Sequence, residues 1–289
     1  MLTPEPMEIG LVFWAEQDAE STLRQLDGLG IHAGQLGVPP DMSCDAALRD
    51  WARALKEERA AVTSAVCSYS GEDYSNLETV HRTVGFTNKE LRADRIARTK
   101  EVSRFADALG IRALSCHLGF IPSDRDEAIY QDLRNLTRSL CEICSERHQD
   151  FVLETGQESA DVLLGFIADV NRNNLKVNFD PANMIMYGSG DPLAALEILG
   201  SRVLSVHCKD AISPPADTVG LLGEECAVGD GEVDFPAFLK QLKKMNYQGL
   251  LTIEREAPNP DRRLADIAIG AQRLARWKAA VGIGMSVGA

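Results

Sequence analysis

The chain has 289 residues, of which 45% are hydrophobic and 25% charged, the composition of an ordinary globular protein. Its formal net charge of −13 repels a polyphosphate backbone, so nucleic acid is not an expected partner. No apolar run approaches the roughly 18 residues of a membrane span, and MLTPEPMEIGLVFW lacks a basic leader, so a cytoplasmic protein without a membrane partner is expected.

Seven scattered Cys fit reduced thiols better than a disulfide framework. Cys141 and Cys144 form a C-x-x-C, but they lie in the helical segment LTRSLCEICSER and read as buried helix-face residues.

Strand-like and helix-like segments alternate along the whole chain. Residues 7–14 form a first apolar strand, followed by a helix with Leu23, Leu26 and Leu29 at helical spacing and Gly30 as its stop. Strand 32–39 is glycine-rich and precedes the amphipathic helix ALRDWARALKEER. Strand 61–70 leads into a polar loop, then a helix over 89–109. RALSCHLG is the fourth strand, and 125–147 a long charged helix. DFVLETG is the fifth strand, and its helix starts at Ser159 as N-cap. LKVNFD is the sixth, followed by a helix with Asp191 as cap and Pro192 at its first position. SRVLSVHCKD, the helix VDFPAFLKQLKKMNY, GLLTIERE and a last helix over 261–280 complete the series.

Eight strands alternating with eight helices predict a single (β/α)8 barrel over residues 1–289, with 1–6 and 281–289 as flexible ends. The main competitor, a doubly wound open sheet, lacks support because the first strand–helix turn has no G-x-G-x-x-G. The longest non-periodic stretch, 211–232, is expected to act as a lid with glycine and proline hinge points.

Four late strands end in metal-seeking side chains: FVLE at Glu154, KVNFD at Asp180, RVLSVH at His207 and LLTIE at Glu254. Parallel strands closed into a barrel bring their carboxyl ends to one mouth, where the active sites of such barrels lie. Three carboxylates and one imidazole suit one divalent ion, with Mn²⁺ preferred over Mg²⁺, Co²⁺ or Zn²⁺. Alternation along the strands places Lys209, Glu256 and Asn178 on the ligand-bearing faces, with His117 and Ser115 as neighbours on strand four. Trp14, at the end of strand one, is placed either to cap a substrate pocket with its ring or to close the barrel. His32, His81 and His148 read as structural or surface residues.

The segments FVLETGQES, VNFDPANMIMYG, RVLSVHCKD and GEVDFPAFLKQLKKMNYQGLLTIERE resemble the sugar phosphate isomerase/epimerase superfamily. The resemblance implies a xylose isomerase-like TIM barrel. It also implies one metal held by Glu154, Asp180, His207 and Glu254, with Glu154 and Glu254 exchanging protons with the substrate. The chemistry is consistent with those residues: removing a proton beside a carbonyl builds an enediolate, which a divalent ion stabilises while two carboxylates act as base and acid. The ketose 3-epimerases of the group carry a His where this chain has Asn183, and an Arg shortly after the His ligand. Here Lys209 is expected to supply the positive charge instead.

The expected function is therefore a metal-dependent isomerase or epimerase of a sugar, keto-sugar or keto-polyol, with a homo-oligomer left open. A dehydratase of the inosose or dehydroshikimate type is the alternative, because it uses the same enolate. An endonuclease IV-like enzyme is disfavoured by the five His and the acidic charge, and a non-catalytic sugar-binding protein by the two glutamates.

Overall fold

The computed structural model describes residues 4–284 except 16, 17, 59, 217 and 219. The strands are β1 (Ile9–Trp14), β2 (Ala33–Val38), β3 (Ala61–Cys67), β4 (Ala113–Cys116), β5 (Asp150–Glu154), β6 (Leu175–Phe179), β7 (Val203–Cys208), β8 (Asp210–Ile212), β9 (Glu224–Cys226) and β10 (Leu251–Ile253). All but β8 and β9 pair in parallel and close into a barrel in the order β1-β10-β7-β6-β5-β4-β3-β2. With helices between its strands, the fold is a (β/α)8 TIM barrel. β8 and β9 form a separate antiparallel ribbon.

The strands are buried on both sides: one face packs apolar residues on the helical layer, as Phe179 does on Phe238, and the other turns buried polar residues such as Gln35, Asn178 and His207 into the barrel interior. Phe151, Val152 and Leu153 of β5 are all buried, as are Val177 and Phe179 of β6. The helices present one apolar stripe to this sheet. In helix Cys44–Glu57, Trp51, Ala54 and Leu55 are buried, and the Trp51 ring stacks at 6.3 Å from Phe13 of β1. In helix Pro260–Ala280 the buried residues are Ile267, Gly270 and Leu274. Gly270 admits Val228, which a Cβ at that position would meet at 3.2 Å.

The helix caps follow the residues that announced them. Ser159 Oγ accepts from Val162 N, and Asp191 accepts from Ala194 N with Pro192 in the first turn. Two short helices were not expected. Leu77–Thr83 lies in what reads as a polar loop, capped by Asn76. Pro181–Tyr187 follows β6 directly, capped by Asp180 with proline in its first turn. Each spans about two turns, too short to show a repeating apolar period. The helix expected over 89–109 is a 3₁₀ turn, Lys89–Leu91, running into Arg92–Ala108. The helix expected over 125–147 spans Ala128–Ser145.

Of the ends expected to be flexible, residues 1–3 and 285–289 lie outside the described residues. After the last helix, Lys243 Nζ donates to Val281 O at 2.9 Å and Gly282 O at 3.0 Å. No described helix is long and apolar enough to cross a membrane.

Candidate metal and substrate site

Glu154 ends β5, Asp180 follows β6, His207 lies near the end of β7 and Glu254 follows β10. The barrel brings one ligand atom of each within 4.8 Å of all the others, close enough to share one ion. His207 Nδ1 sits 3.2 Å from Glu254 Oε2, 3.4 Å from Glu154 Oε1 and 3.5 Å from Asp180 Oδ2. His207 and Asp180 have no exposed surface, yet Nδ1 and Oδ2 have no hydrogen-bond partner among the described residues. Buried polar atoms are rarely left orphaned, and two facing each other inside a carboxylate set fit a divalent cation.

The remaining atoms of these side chains are fixed by neighbours. Asp180 Oδ1 caps helix Pro181–Tyr187 by accepting from Asn183 N at 2.9 Å, so the cap aims Oδ2 at His207. Asn183 Nδ2 donates to Glu154 Oε1 at 3.0 Å. Thr155 Oγ1 accepts from Asp180 N and donates to Asp180 O, tying β5 to β6. On the far edge of the imidazole, His207 Nε2 is 3.1 Å from Gln35 Oε1 and 3.0 Å from Asn178 Nδ2.

The electrostatics are dominated by three carboxylates around one imidazole. Burial disfavours a charged His207, but Glu254, Glu154 and Asp180 outweigh it and hold its pKa well above the ordinary value. Burial pushes Glu254 up, but His207 and Lys209 overcome this and leave it well below the usual carboxylate range. Glu154 is also lowered, because His117 and His207 outweigh burial. Asp180 is raised, with burial stronger than the opposing pull of His207 and Lys209.

Above this cluster lies a cavity of about 570 Å³. Each residue expected to bind substrate lines it: Trp14, His117, Asn183, Lys209 and Glu256. His117 Nε2 lies 3.7 Å from Glu154 Oε1, beside the Tyr74 ring, and its Nδ1 is buried without a partner. The Trp14 ring lies against β2 at Gly37, where a Cβ would come within 2.6 Å of it. Asn178 does not line the cavity; it lies on the opposite edge of the His207 ring.

Lys209 Nζ donates to Glu254 Oε2 at 3.0 Å and has Glu256, Glu225 and Asp180 oxygens at 3.7, 3.8 and 4.0 Å. Its charge, expected from the sequence to serve the substrate, is thus shared among four carboxylates. Glu256 is the outermost of them, with 56% of its side chain exposed.

Glu225 was not foreseen, because it enters the site from the ribbon. Its Oε1 accepts from Arg255 at 2.9 Å and from Glu256 N at 2.9 Å. The stretch 211–232, expected as a lid without regular structure, is in part this ribbon; Asp217 and Val219 lie outside the described residues. The fully buried carboxylate of Asp210 accepts from the backbone of Ala211, Gly229, Gly231 and Val233, so the base of the segment is clamped. Leu221, Leu222 and Gly223 from the same segment reach the cavity wall.

Residues 25–277 match the family model described as a xylose isomerase-like TIM barrel. The chain belongs to that family. A xylose isomerase domain protein from Planctomyces limnophilus is 36% identical with a TM-score of 0.91, covering 96% of this chain and 99% of that one. The rhizopine catabolism protein MocC of Rhizobium meliloti is 32% identical over 175 residues, 55% of this chain and 52% of that protein. The chain thus spans about half the length of the curated relatives it matches. A D-allulose 3-epimerase from Methylomonas sp., solved in complex with D-allulose, covers 96% of this chain and 98% of its own at 18% identity and TM-score 0.67, a likeness of fold.

Proposed function

We propose that this protein is a divalent-metal-dependent isomerase or epimerase of a free sugar, keto-sugar or keto-polyol. The observation that carries the reading is the pair of orphaned buried atoms, His207 Nδ1 and Asp180 Oδ2, set between two glutamates at the base of a sugar-sized cavity. Glu154, Asp180, His207 and Glu254 would hold the ion, with Mn²⁺ the preferred species for three oxygen donors and one nitrogen donor. When bound, a divalent ion supplies positive charge that stabilises negative charge developing on a substrate oxygen.

The proton work falls to the chain's own carboxylates. Glu154 and Glu254 stand on β5 and β10, separated around the barrel by β6 and β7. One takes the proton from the carbon beside the carbonyl, and the C–H electron pair moves toward the carbonyl oxygen as an enediolate forms. The other returns a proton to carbon, on the opposite face for epimerisation. The glutamate that acts as base must enter ionised, and Lys209 beside Glu254 and His117 beside Glu154 favour that form. The one that acts as acid enters carrying a proton taken from solvent and regains it after turnover.

Support from the comparisons is of the class of reaction: the Methylomonas barrel of the same fold is an epimerase, and its ligand is a ketose. A phosphorylated substrate fits poorly, since the one lysine of the cavity wall is already matched by four carboxylates. The test is solvent deuterium incorporation across a panel of ketoses and keto-inositols with Mn²⁺ present. Label at one carbon beside the carbonyl, with the epimer or isomer as product, is the expected result. Loss of water from a labelled substrate would assign the protein to the dehydratases instead. No exchange with any member of the panel, in protein that retains metal, would sink both readings.

A further inference from the structure

Gln35 is one of the fully buried polar residues of the barrel to which the metal reading gives no role. Gln35 has no exposed surface and lies on β2, three strands away from β7 around the barrel. Its side chain crosses the interior to the imidazole, with Oε1 3.1 Å from His207 Nε2, while its Nε2 donates to Asn178 Oδ1 at 3.4 Å. Asn178 Oδ1 also accepts from Ser205 Oγ at 2.5 Å, and Asn178 Nδ2 faces His207 Nε2 at 3.0 Å. Asn178 therefore has its oxygen engaged by two donors and turns a nitrogen toward the ring. Of the two groups beside Nε2, Gln35 Oε1 can accept a proton carried there and the Asn178 amide nitrogen, a donor, cannot. The Nε2–H form therefore needs Gln35 as its acceptor, with Asn178 Nδ2 turned off the N–H direction.

An imidazole that gives the Nδ1 lone pair to an ion carries its proton on Nε2, and the partner of that proton fixes both the tautomer and the ring plane. We propose that Gln35 is a positioning residue that holds His207 as the Nε2–H tautomer with its Nδ1 lone pair aimed at the cation. The inference rests on the metal-site reading above. Its geometry is that of a strut across the barrel. Gln35, Asn178 and Ser205 come from β2, β6 and β7, so the orientation of the ring is set by three strands.

The experiment uses the full chain and Mn²⁺ as the probe, with binding measured by titration and His207 protonation read by ¹⁵N NMR on the Mg²⁺-loaded protein. Gln35→Met keeps the length and removes the acceptor; Gln35→Glu keeps an acceptor. Gln35→Met is expected to weaken Mn²⁺ binding by about 10- to 100-fold, the usual effect of losing the partner of a ligating histidine. It should also blur the Nε2–H signature of His207, with both effects reversed in Gln35→Glu. A melting temperature for each variant separates loss of fold from loss of tautomer control. Unchanged affinity and an unchanged His207 spectrum in Gln35→Met would overturn the proposal. So would equal losses in folded Met and Glu variants, which would make Gln35 a filler of space. If the wild-type protein itself binds no Mn²⁺, the metal site and the strut fail together; if only Gln35→Met is indistinguishable from wild type, the metal site stands without it.

Discussion

The two halves of the barrel contribute differently to the site. From β5 through β7 to β10, each strand end supplies one member of the Glu154, Asp180, His207 and Glu254 set. From β1 to β4, the strands supply none of these, but they provide Trp14 and His117 in the cavity wall and Gln35 beneath His207. One half presents the lone pairs and much of what fixes them, Asn183 and Asn178 included; the other lines the cavity and reaches the far edge of His207 through Gln35. The division suits a centre that must stay charged and oriented inside a dry interior, because buried ligands need partners that fix them.

The comparison is most sharply tested by removing ligands from the first half. Glu154→Gln and Glu254→Gln should each keep the fold and lose on the order of 10² to 10⁴ in turnover, the range for general acid–base groups. The two variants need not behave alike, and one is expected to retain exchange of the substrate proton with solvent. Near-normal turnover in both, at full metal occupancy, would show that the acids and bases lie elsewhere. Asp180→Ala should abolish stoichiometric metal in protein prepared without chelator, while Trp51→Ala, at a residue outside both the cluster and the cavity wall, should leave metal content unchanged. Trp51→Ala should instead cost about 3–5 kcal/mol of stability, measurable by denaturant unfolding.

The same centre predicts a pH dependence of binding. In the metal-free protein the surrounding carboxylates hold His207 protonated above its ordinary pKa. The ion must displace that proton, so affinity should rise with pH and binding should release protons. Calorimetry in buffers of different ionisation enthalpy would detect the release, and an affinity flat between about pH 5 and 8 would contradict it.

Smaller effects are expected from the rim. Lys209→Met removes a cation that lowers Glu254, so the acid limb of the kcat/KM profile should move to higher pH by about one unit or more. Metal content should change less than in Asp180→Ala. Smallest is the response of the ribbon: substrate should alter hydrogen-exchange protection around Leu221 and Leu222 while the backbone bonded to Asp210 stays protected.

The legibility of these two halves in the sequence was unequal for a physical reason. A strand end that carries Glu, Asp or His after a run of Val, Leu and Phe breaks its own pattern, so the four candidate ligands could be picked out and the barrel inferred from their convergence. Gln35 breaks the pattern too, inside AGQLGV, but a lone amide in a glycine-rich strand gives no sign of what it reaches across the interior. Glu225 was invisible because its place depends on a ribbon formed by two three-residue strands, below the length at which alternation can be read. The helix at Pro181–Tyr187 did have a signal, Asp180 followed by proline, but the same aspartate was read only as a ligand. It serves as both, one oxygen capping the helix and the other facing His207.

Asp210 has a consequence for how this protein can diverge. Its single carboxylate gathers four backbone N–H groups at the two feet of the 211–232 segment, immediately beyond the strand that carries His207. Changes of length or chemistry between Ile212 and Gly223 would alter the cavity wall and leave the feet pinned. The segment is built as a cassette: its tip, where Leu221, Leu222 and Gly223 face the cavity, could be exchanged without moving Glu154, Asp180, His207 or Glu254.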